Sequence, residues 1–226
     1  MIKLAFQIPT PSLEISGSTM RFPVRRIFCV GRNYGEHAKE FGNDERDPPF
    51  FFNKPADAIA PSGSTLLYPP QTHDLHHEAE LVVAIGEGGS NINTTEAPSH
   101  IFGFAAGNDL TRRDLQAVAK SQRRPWDMSK GFDDSAIIGP ILQRQHMPDD
   151  AGIRCLVGAE LRQSGHIWQM TWPIADVIAA LSSYVALAPG DLIMTGTPAG
   201  VGPVAPGETC TVEIDGLIPA VFTYAA

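Results

Sequence analysis

Apolar residues along this chain fall in short runs, and turn residues punctuate them closely. The 226 residues include 21 Gly and 19 Pro, spread rather than clustered, and many short apolar runs between such breaks predict a β-rich fold. Strands are expected at Arg26 to Val30, Phe50 to Asn53, Glu78 to Ile85, Ile101 to Ala106, Ala136 to Ile141, Arg154 to Leu161, Leu192 to Thr195 and Thr209 to Ile214. Helical patterns are fewer. Asn33 is a capping residue with Glu36 three positions on and Gly42 as a stop, so a two-turn helix is expected over Tyr34 to Phe41. Thr111 to Gln122 and Ile174 to Tyr184 are the other two, the latter with Ile174, Val177, Ile178 and Leu181 at helical spacing.

One of these strands opens on charge. His76-His77-Glu78-Ala79-Glu80 runs straight into Leu81-Val82-Val83-Ala84-Ile85, and because side chains alternate, Glu78 and Glu80 share a face with Val82 and Ala84. The other face carries Ala79, Leu81, Val83 and Ile85, so both sides are apolar and the strand is expected to be buried on both. A Glu-x-Glu pair alone is usually a solvated strand face. Two carboxylates at the entrance of a buried strand are different: one would have to stay protonated unless a hard divalent cation favoured both ionised forms. Asp109, which closes the apolar run Ile101 to Gly107 and Asn108, is the expected third oxygen ligand. Three carboxylates leave open positions, as a catalytic Mg²⁺ or Mn²⁺ site requires.

Other segments add candidate chemistry. His37 and Glu40 stand three apart on the first expected helix, where a carboxylate can hold an imidazole in one tautomer and raise its basicity. Lys130, among Trp126, Met128 and Phe132, is expected to be drawn into an apolar wall where its charge counts for more. Lys54, after Phe50-Phe51-Phe52-Asn53, has a similar and weaker case. Arg113 and Gln116 lie three apart on the helix after Asp109. The loop Gly196-Thr197-Pro198-Ala199-Gly200-Val201-Gly202 lacks the Gly-Lys-Ser/Thr ending of a phosphate-binding loop and is read as a tight turn that brings Thr197 to a ligand.

Taken in order, Ile27 to Tyr34, Asp74 to Leu81, Gly107 to Gln116, Lys130 to Asp133 and Thr195 to Gly202 resemble the fumarylacetoacetate hydrolase family, most of all its short bacterial acylpyruvate and fumarylpyruvate hydrolases. The resemblance spans residues 26–216. It implies an α+β, β-rich fold, a mixed β-roll or sandwich of that family's C-terminal type with a few short helices. One catalytic domain over 1–226 is expected, with residues 1–25 as a lead-in too short for the extra N-terminal domain of longer members, and a homodimer. By resemblance Glu78, Glu80 and Asp109 hold the metal (Mg²⁺ or Mn²⁺, with Ca²⁺ a stand-in in crystals), and His37 and Glu40 lie on a lid and position the attacking water. By the same resemblance Lys130 stabilises negative charge on the substrate; from their own positions in or beside these motifs Arg32, Lys54, Arg113, Gln116 and Thr197 are the expected substrate-binding residues, with Arg113 and Gln116 equally open to a surface or helix-pairing role.

The implied reaction is hydrolysis of the carbon–carbon bond of an acylpyruvate, with fumarylpyruvate favoured and Arg32, Arg113, Arg123 and Arg124 as candidates for its second carboxylate. Decarboxylation of oxaloacetate and isomerisation of an unsaturated keto-diacid use nearly the same site and are the rivals. A non-catalytic metal-binding domain is disfavoured, because His37, Glu40, Lys130 and all three carboxylates occur together.

Composition narrows the partners. A net charge of −8 argues against a nucleic-acid or anionic-membrane surface. Cys29, Cys155 and Cys210 show neither a paired framework nor ligand spacing and are expected to be buried thiols in a reducing compartment. The apolar stretch at the start is too short for a signal peptide and no run reaches membrane-spanning length, so the cytoplasm is the expected location.

Overall fold

The structure is a computed structural model that describes residue 3, residues 5–35 and residues 48–226. The expected helix over Tyr34 to Phe41, with His37 and Glu40, lies largely outside the described residues. Two larger sheets organise the rest. The first, of eight strands, runs Phe50–Lys54, Arg26–Gly31, Asp191–Met194, Ala79–Ile85, Ile101–Asp109, Ala136–Ile138 and Ile59–Pro61, with Leu142–Gln143 also paired to Ile101–Asp109. It is mixed: Arg26–Gly31 pairs in parallel with Asp191–Met194, which is antiparallel to Ala79–Ile85. The second runs Glu160–His166, Gly152–Val157, Thr209–Ile214, Ala220–Tyr224 and Ser64–Leu66.

The alternation along Ala79–Ile85 explains how these sheets stack. Every residue of the strand is buried. Ala79, Leu81, Val83 and Ile85 join Phe104 and Ala106 in a core shared with Ile153, Cys155, Val212 and Phe222 of the second sheet. Val82 and Ala84 point the opposite way, into a core closed by Leu13, Ile15, Phe22 and Val24. Those four belong to or flank a hairpin of Ser12–Glu14 and Arg21–Pro23. Apolar surface on both faces of one strand therefore requires a layer on each side, and the chain supplies both. The architecture is α+β and β-rich, as expected.

Several boundaries differ from the sequence reading, each for a local reason. The single strand expected over Arg154 to Leu161 is a hairpin of Gly152–Val157 and Glu160–His166. Gly158 at its tip has φ +59°, which suits glycine in a two-residue turn. The strand expected over Ala136 to Ile141 stops at Ile138, before Gly139 and Pro140, because proline offers no N–H to the ladder. The helix expected from Thr111 begins at Arg113 and ends at Ser121, since Thr111–Arg112 pairs with Leu75–His77 instead. Ile174–Tyr184 is a helix over the expected span. The Ile101 strand continues to Asp109, which places that carboxylate on a rigid element.

Candidate metal centre and active site

Register brings the acids together. In the Ala79–Ile85 strand Glu80 lies opposite Gly107 and Ala79 opposite Asn108, so Asp109 falls beside Glu78, whose carbonyl accepts the Asp109 N–H at 2.9 Å. Glu78 itself sits just before the strand, its N–H donated to Asn108 Oδ1 at 3.0 Å. Carboxylate oxygens of Glu78, Glu80 and Asp109 lie within 4.8 Å of one another, and all three residues are buried.

Two lysines and an arginine surround them. Lys130 Nζ donates to Glu78 Oε2 at 2.6 Å and Asp109 Oδ2 at 2.7 Å. Burial would lower its pKa, but Asp109 and Glu78 outweigh that and hold it above the ordinary lysine value, so Lys130 is a fixed cation. The apolar wall expected around it is present but differently composed: Phe52 lies 5.0 Å from Nζ and Phe132 is buried, whereas Met128 is exposed. Arg113 Nη2 pairs with Glu78 Oε1 at 2.5 Å, and its Nη1 donates to Gln116 Oε1 at 2.7 Å. Lys54 is fully buried and does not line the cleft. Its ammonium backs Asp109 Oδ1 at 2.8 Å and donates to the carbonyls of Leu110 and Lys130, a holding position rather than the substrate contact expected for it.

Glu80 differs from its neighbours. The Gly196 N–H donates to Glu80 Oε2 at 2.8 Å, and no cation pairs with Glu80 among the described residues. Gly196 has φ +97°, and a Cβ there would meet Asn33 Cβ at 2.8 Å, so glycine is what lets this backbone approach. Burial first, then Asp109 and Glu78, push the Glu80 carboxyl well above the usual range. Asp109 Oδ1 is also without a hydrogen bond among the described residues, the Lys54 ammonium standing near it but out of line. A cluster of oxygen donors only, with one buried acid that no cation pairs among the described residues, fits a hard divalent cation.

One cleft opens over this floor. Glu78, Glu80, Asp109, Lys130, Arg113, Gln116, Thr197 and Arg32 line it, so of the residues singled out by sequence it gathers all but Lys54, Arg123, Arg124 and those outside the described region. Arg123 and Arg124 lie beyond the helix, exposed and away from the lining. The sequence reading missed Lys120, half-buried at the cleft mouth with Nζ 5.3 Å from the Trp126 ring. Its signal was present: 113, 116 and 120 are one polar stripe at helical spacing. Asn33 does more than the capping expected of it. Its side chain in fact bridges Trp172 and Thr195, fixing the chain just before residues 36–47 beside the Thr195–Thr197 loop.

Known proteins sharpen the picture. The structure of fumarylpyruvate hydrolase from Pseudomonas aeruginosa in complex with Mn²⁺ and pyruvate superposes with a TM-score of 0.94 at 48% identity, covering 99% of each chain. An oxaloacetate decarboxylase of Dictyostelium discoideum is 39% identical over 196 residues, 85% of this chain and 90% of the relative. An oxaloacetate tautomerase of Mus musculus is 38% identical over 200 residues, 88% and 90%. The family profile described as fumarylacetoacetate (FAA) hydrolase C-terminal matches residues 26–223, and with that match, that fold and that acidic centre, the chain belongs to the fumarylacetoacetate hydrolase family.

Proposed function

We propose that this chain is a metal-dependent hydrolase that splits an acylpyruvate, preferably fumarylpyruvate, into pyruvate and a carboxylic acid. The observation that carries the reading is the buried triad of Glu78, Glu80 and Asp109 with Lys130 bonded between two of its members, on a fold whose fumarylpyruvate-hydrolase neighbour holds Mn²⁺ and pyruvate. Glu78, Glu80 and Asp109 would hold Mg²⁺ or Mn²⁺, which when bound supplies Lewis-acid polarisation of keto-acid oxygens.

The residues divide the remaining work. His37 and Glu40, assigned from sequence, take a proton from water as it adds to the C4 carbonyl. The C3–C4 bond then breaks, its electron pair stays on C3 as the pyruvate enolate, and a proton returns to that carbon. Lys130 places a permanent positive charge beside the position where this negative charge develops. Arg113 from the cleft wall and Lys54 from behind it hold Glu78 and Asp109 in place. At the mouth, Arg32 and Lys120 offer cations to the second carboxylate of a fumaryl group, which would otherwise be desolvated without a partner. A homodimer, as the resemblance implies, belongs to this reading.

Oxaloacetate is the second reading, favoured by the decarboxylase and tautomerase relatives. Loss of CO₂ from oxaloacetate gives the same enolate without an attacking water. Steady-state rates on fumarylpyruvate, acetylpyruvate, fumarylacetoacetate and oxaloacetate with Mg²⁺ or Mn²⁺ decide between them. His37→Ala is expected to depress acylpyruvate hydrolysis about a hundredfold or more while oxaloacetate turnover falls less. A dominant oxaloacetate activity, or equal losses in both reactions, would overturn the hydrolase assignment or the water-activating role respectively.

A further inference from the structure

We infer that Gln163 is a positioning residue that commits the Thr197 hydroxyl to donate its hydrogen bond into the cleft, toward an acceptor oxygen of the bound keto acid. The inference rests on the keto-acid site proposed above. Gln163 belongs to the otherwise largely exposed edge strand Glu160–His166 of the second sheet, yet it is 1% exposed and its side chain reaches across to the first. Its amide orientation is set by partners that have no choice. The Ala79 N–H can only donate, and it gives to Gln163 Oε1 at 3.0 Å. The Pro198 carbonyl can only accept, and it takes from Nε2 at 2.8 Å. The oxygen of this amide therefore faces Ala79 and its nitrogen faces the 197–198 loop.

The consequence falls on Thr197. Gln163 Nε2 lies 2.7 Å from Thr197 Oγ1, and an amide nitrogen has two hydrogens and no acceptor capacity. One hydrogen goes to Pro198, so the other goes to Thr197, whose oxygen is the acceptor. The hydroxyl proton cannot point at Gln163. Thr197 is 3% exposed and lines the cleft above Glu78, Glu80 and Asp109, so its proton is left for an oxygen in that space. His77 reinforces the arrangement: its Nδ1 contacts Gln163 Oε1 at 2.9 Å, which requires the proton on Nδ1. A second-sheet side chain with no contact to the ligand thus sets the polarity of one that has it.

Gln163→Glu inverts this polarity. It keeps an oxygen for Ala79 but puts an acceptor where Nε2 stood, so the Thr197 hydroxyl turns to donate toward residue 163. The measurements are Mn²⁺ binding and, on the Mn²⁺-loaded protein, pyruvate binding by titration calorimetry. Expected are unchanged Mn²⁺ affinity, pyruvate Kd raised about tenfold or more in Gln163→Glu and in Thr197→Val, near-normal Kd in Thr197→Ser, and a double variant no worse than either single. Failure of the unaltered protein to bind pyruvate overturns the keto-acid reading itself. Pyruvate binding that survives Thr197→Val, or losses that multiply in the double variant, overturn the inference alone. Should Gln163→Glu not fold, pyruvamide decides, since it presents an N–H where pyruvate has an oxygen. Preference for pyruvate over pyruvamide then shrinks in Thr197→Val and persists in Thr197→Ser, and an unchanged preference in Thr197→Val overturns the inference.

Discussion

The floor and the mouth of the cleft both carry charge, in opposite settings. Glu78, Glu80, Asp109 and Lys130 are at most 5% exposed and sit on strands of the eight-stranded sheet or are hydrogen-bonded directly to them. Arg32 is exposed in a turn and Lys120 is half-buried near the end of a helix. Charges shielded from water interact several-fold more strongly than those at a surface, and salt barely screens them. The floor therefore tolerates almost no change and suits chemistry, whereas the mouth can be retuned at small cost and suits selection among substrates.

The largest effect belongs to the acids. Glu80→Gln or Asp109→Asn removes one hard ligand of three and is expected to abolish metal binding and turnover. In Glu80→Gln the fold should survive and, without metal, gain stability, because a buried acid with no cation partner among the described residues is gone, whereas Asp109→Asn leaves the buried Lys54 and Lys130 ammoniums short of a counter-charge and should lower stability. Mn²⁺ at a hundredfold excess over Kd adds about 2.7 kcal/mol to a binding protein, a Tm rise of roughly 5–10 °C at this size. Calorimetric melts with and without Mn²⁺ should show that rise in the parent and not in Glu80→Gln. A metal-free Glu80→Gln that melts far below the metal-free parent would contradict the idea that Glu80 is an uncompensated buried acid.

Next comes Lys130. Replacing it by Met keeps the packing against Phe52 but leaves Glu78 and Asp109 without the cation they share. We expect kcat to fall by about 10²–10³, the weight of one positioned charge-stabilising donor, with Mn²⁺ affinity unchanged or increased because competition from the ammonium is gone. A variant that loses metal but keeps kcat at saturating metal would make Lys130 a support of the ligands and not a participant.

How far the sequence announced this contrast depended on period and on neighbours. The two-faced burial of Ala79–Ile85 was readable because strand side chains alternate with period two, and the two cores divide its residues as that alternation requires. Glu78, Glu80 and Asp109 were readable because a carboxylate at the mouth of a buried strand demands a reason. The hairpin at Gly158 was hidden by apolar residues on both sides of the turn. Gln163 was invisible: nothing in Glu160–His166 marks one glutamine as reaching into another sheet, since that contact exists only through tertiary packing. Lys54 was found for the wrong place, because a sequence shows that a lysine follows aromatics but not which side of Asp109 it occupies.

At the mouth the expected effects are smaller. If Arg32 and Lys120 receive the distal carboxylate, Lys120→Ala and Arg32→Ala should each lower the ratio of kcat/KM for fumarylpyruvate over acetylpyruvate by about tenfold, with acetylpyruvate rates nearly unchanged. The loss should diminish in high salt, as it would not for a floor residue. A ratio that stays constant in both variants, or a parent that prefers acetylpyruvate, would assign the mouth to small uncharged acyl groups.

The finest test uses pH. Lys120 is lowered from the usual lysine value to about 8, first by burial and then by Arg113 and Arg32 nearby. Its ammonium is therefore present below pH 8 and lost as pH rises through that value, so its attraction for a distal carboxylate is lost in the same direction. Because kcat/KM reports the ionisation of the free enzyme, the fumarylpyruvate-to-acetylpyruvate ratio should be level from pH 6 to 7 and decline above about 8. The decline should end near the ratio of Lys120→Ala, which itself stays flat. Lys120→Arg, whose guanidinium remains charged, should hold the parent's low-pH ratio to higher pH. Lys130 shares neither behaviour: its partners hold it above the ordinary lysine value, so it stays charged throughout and affects both substrates equally. A ratio indifferent to pH in the parent, or the same decline in Lys120→Ala, would move the titrating group elsewhere and leave Arg32 as the mouth's carboxylate receptor.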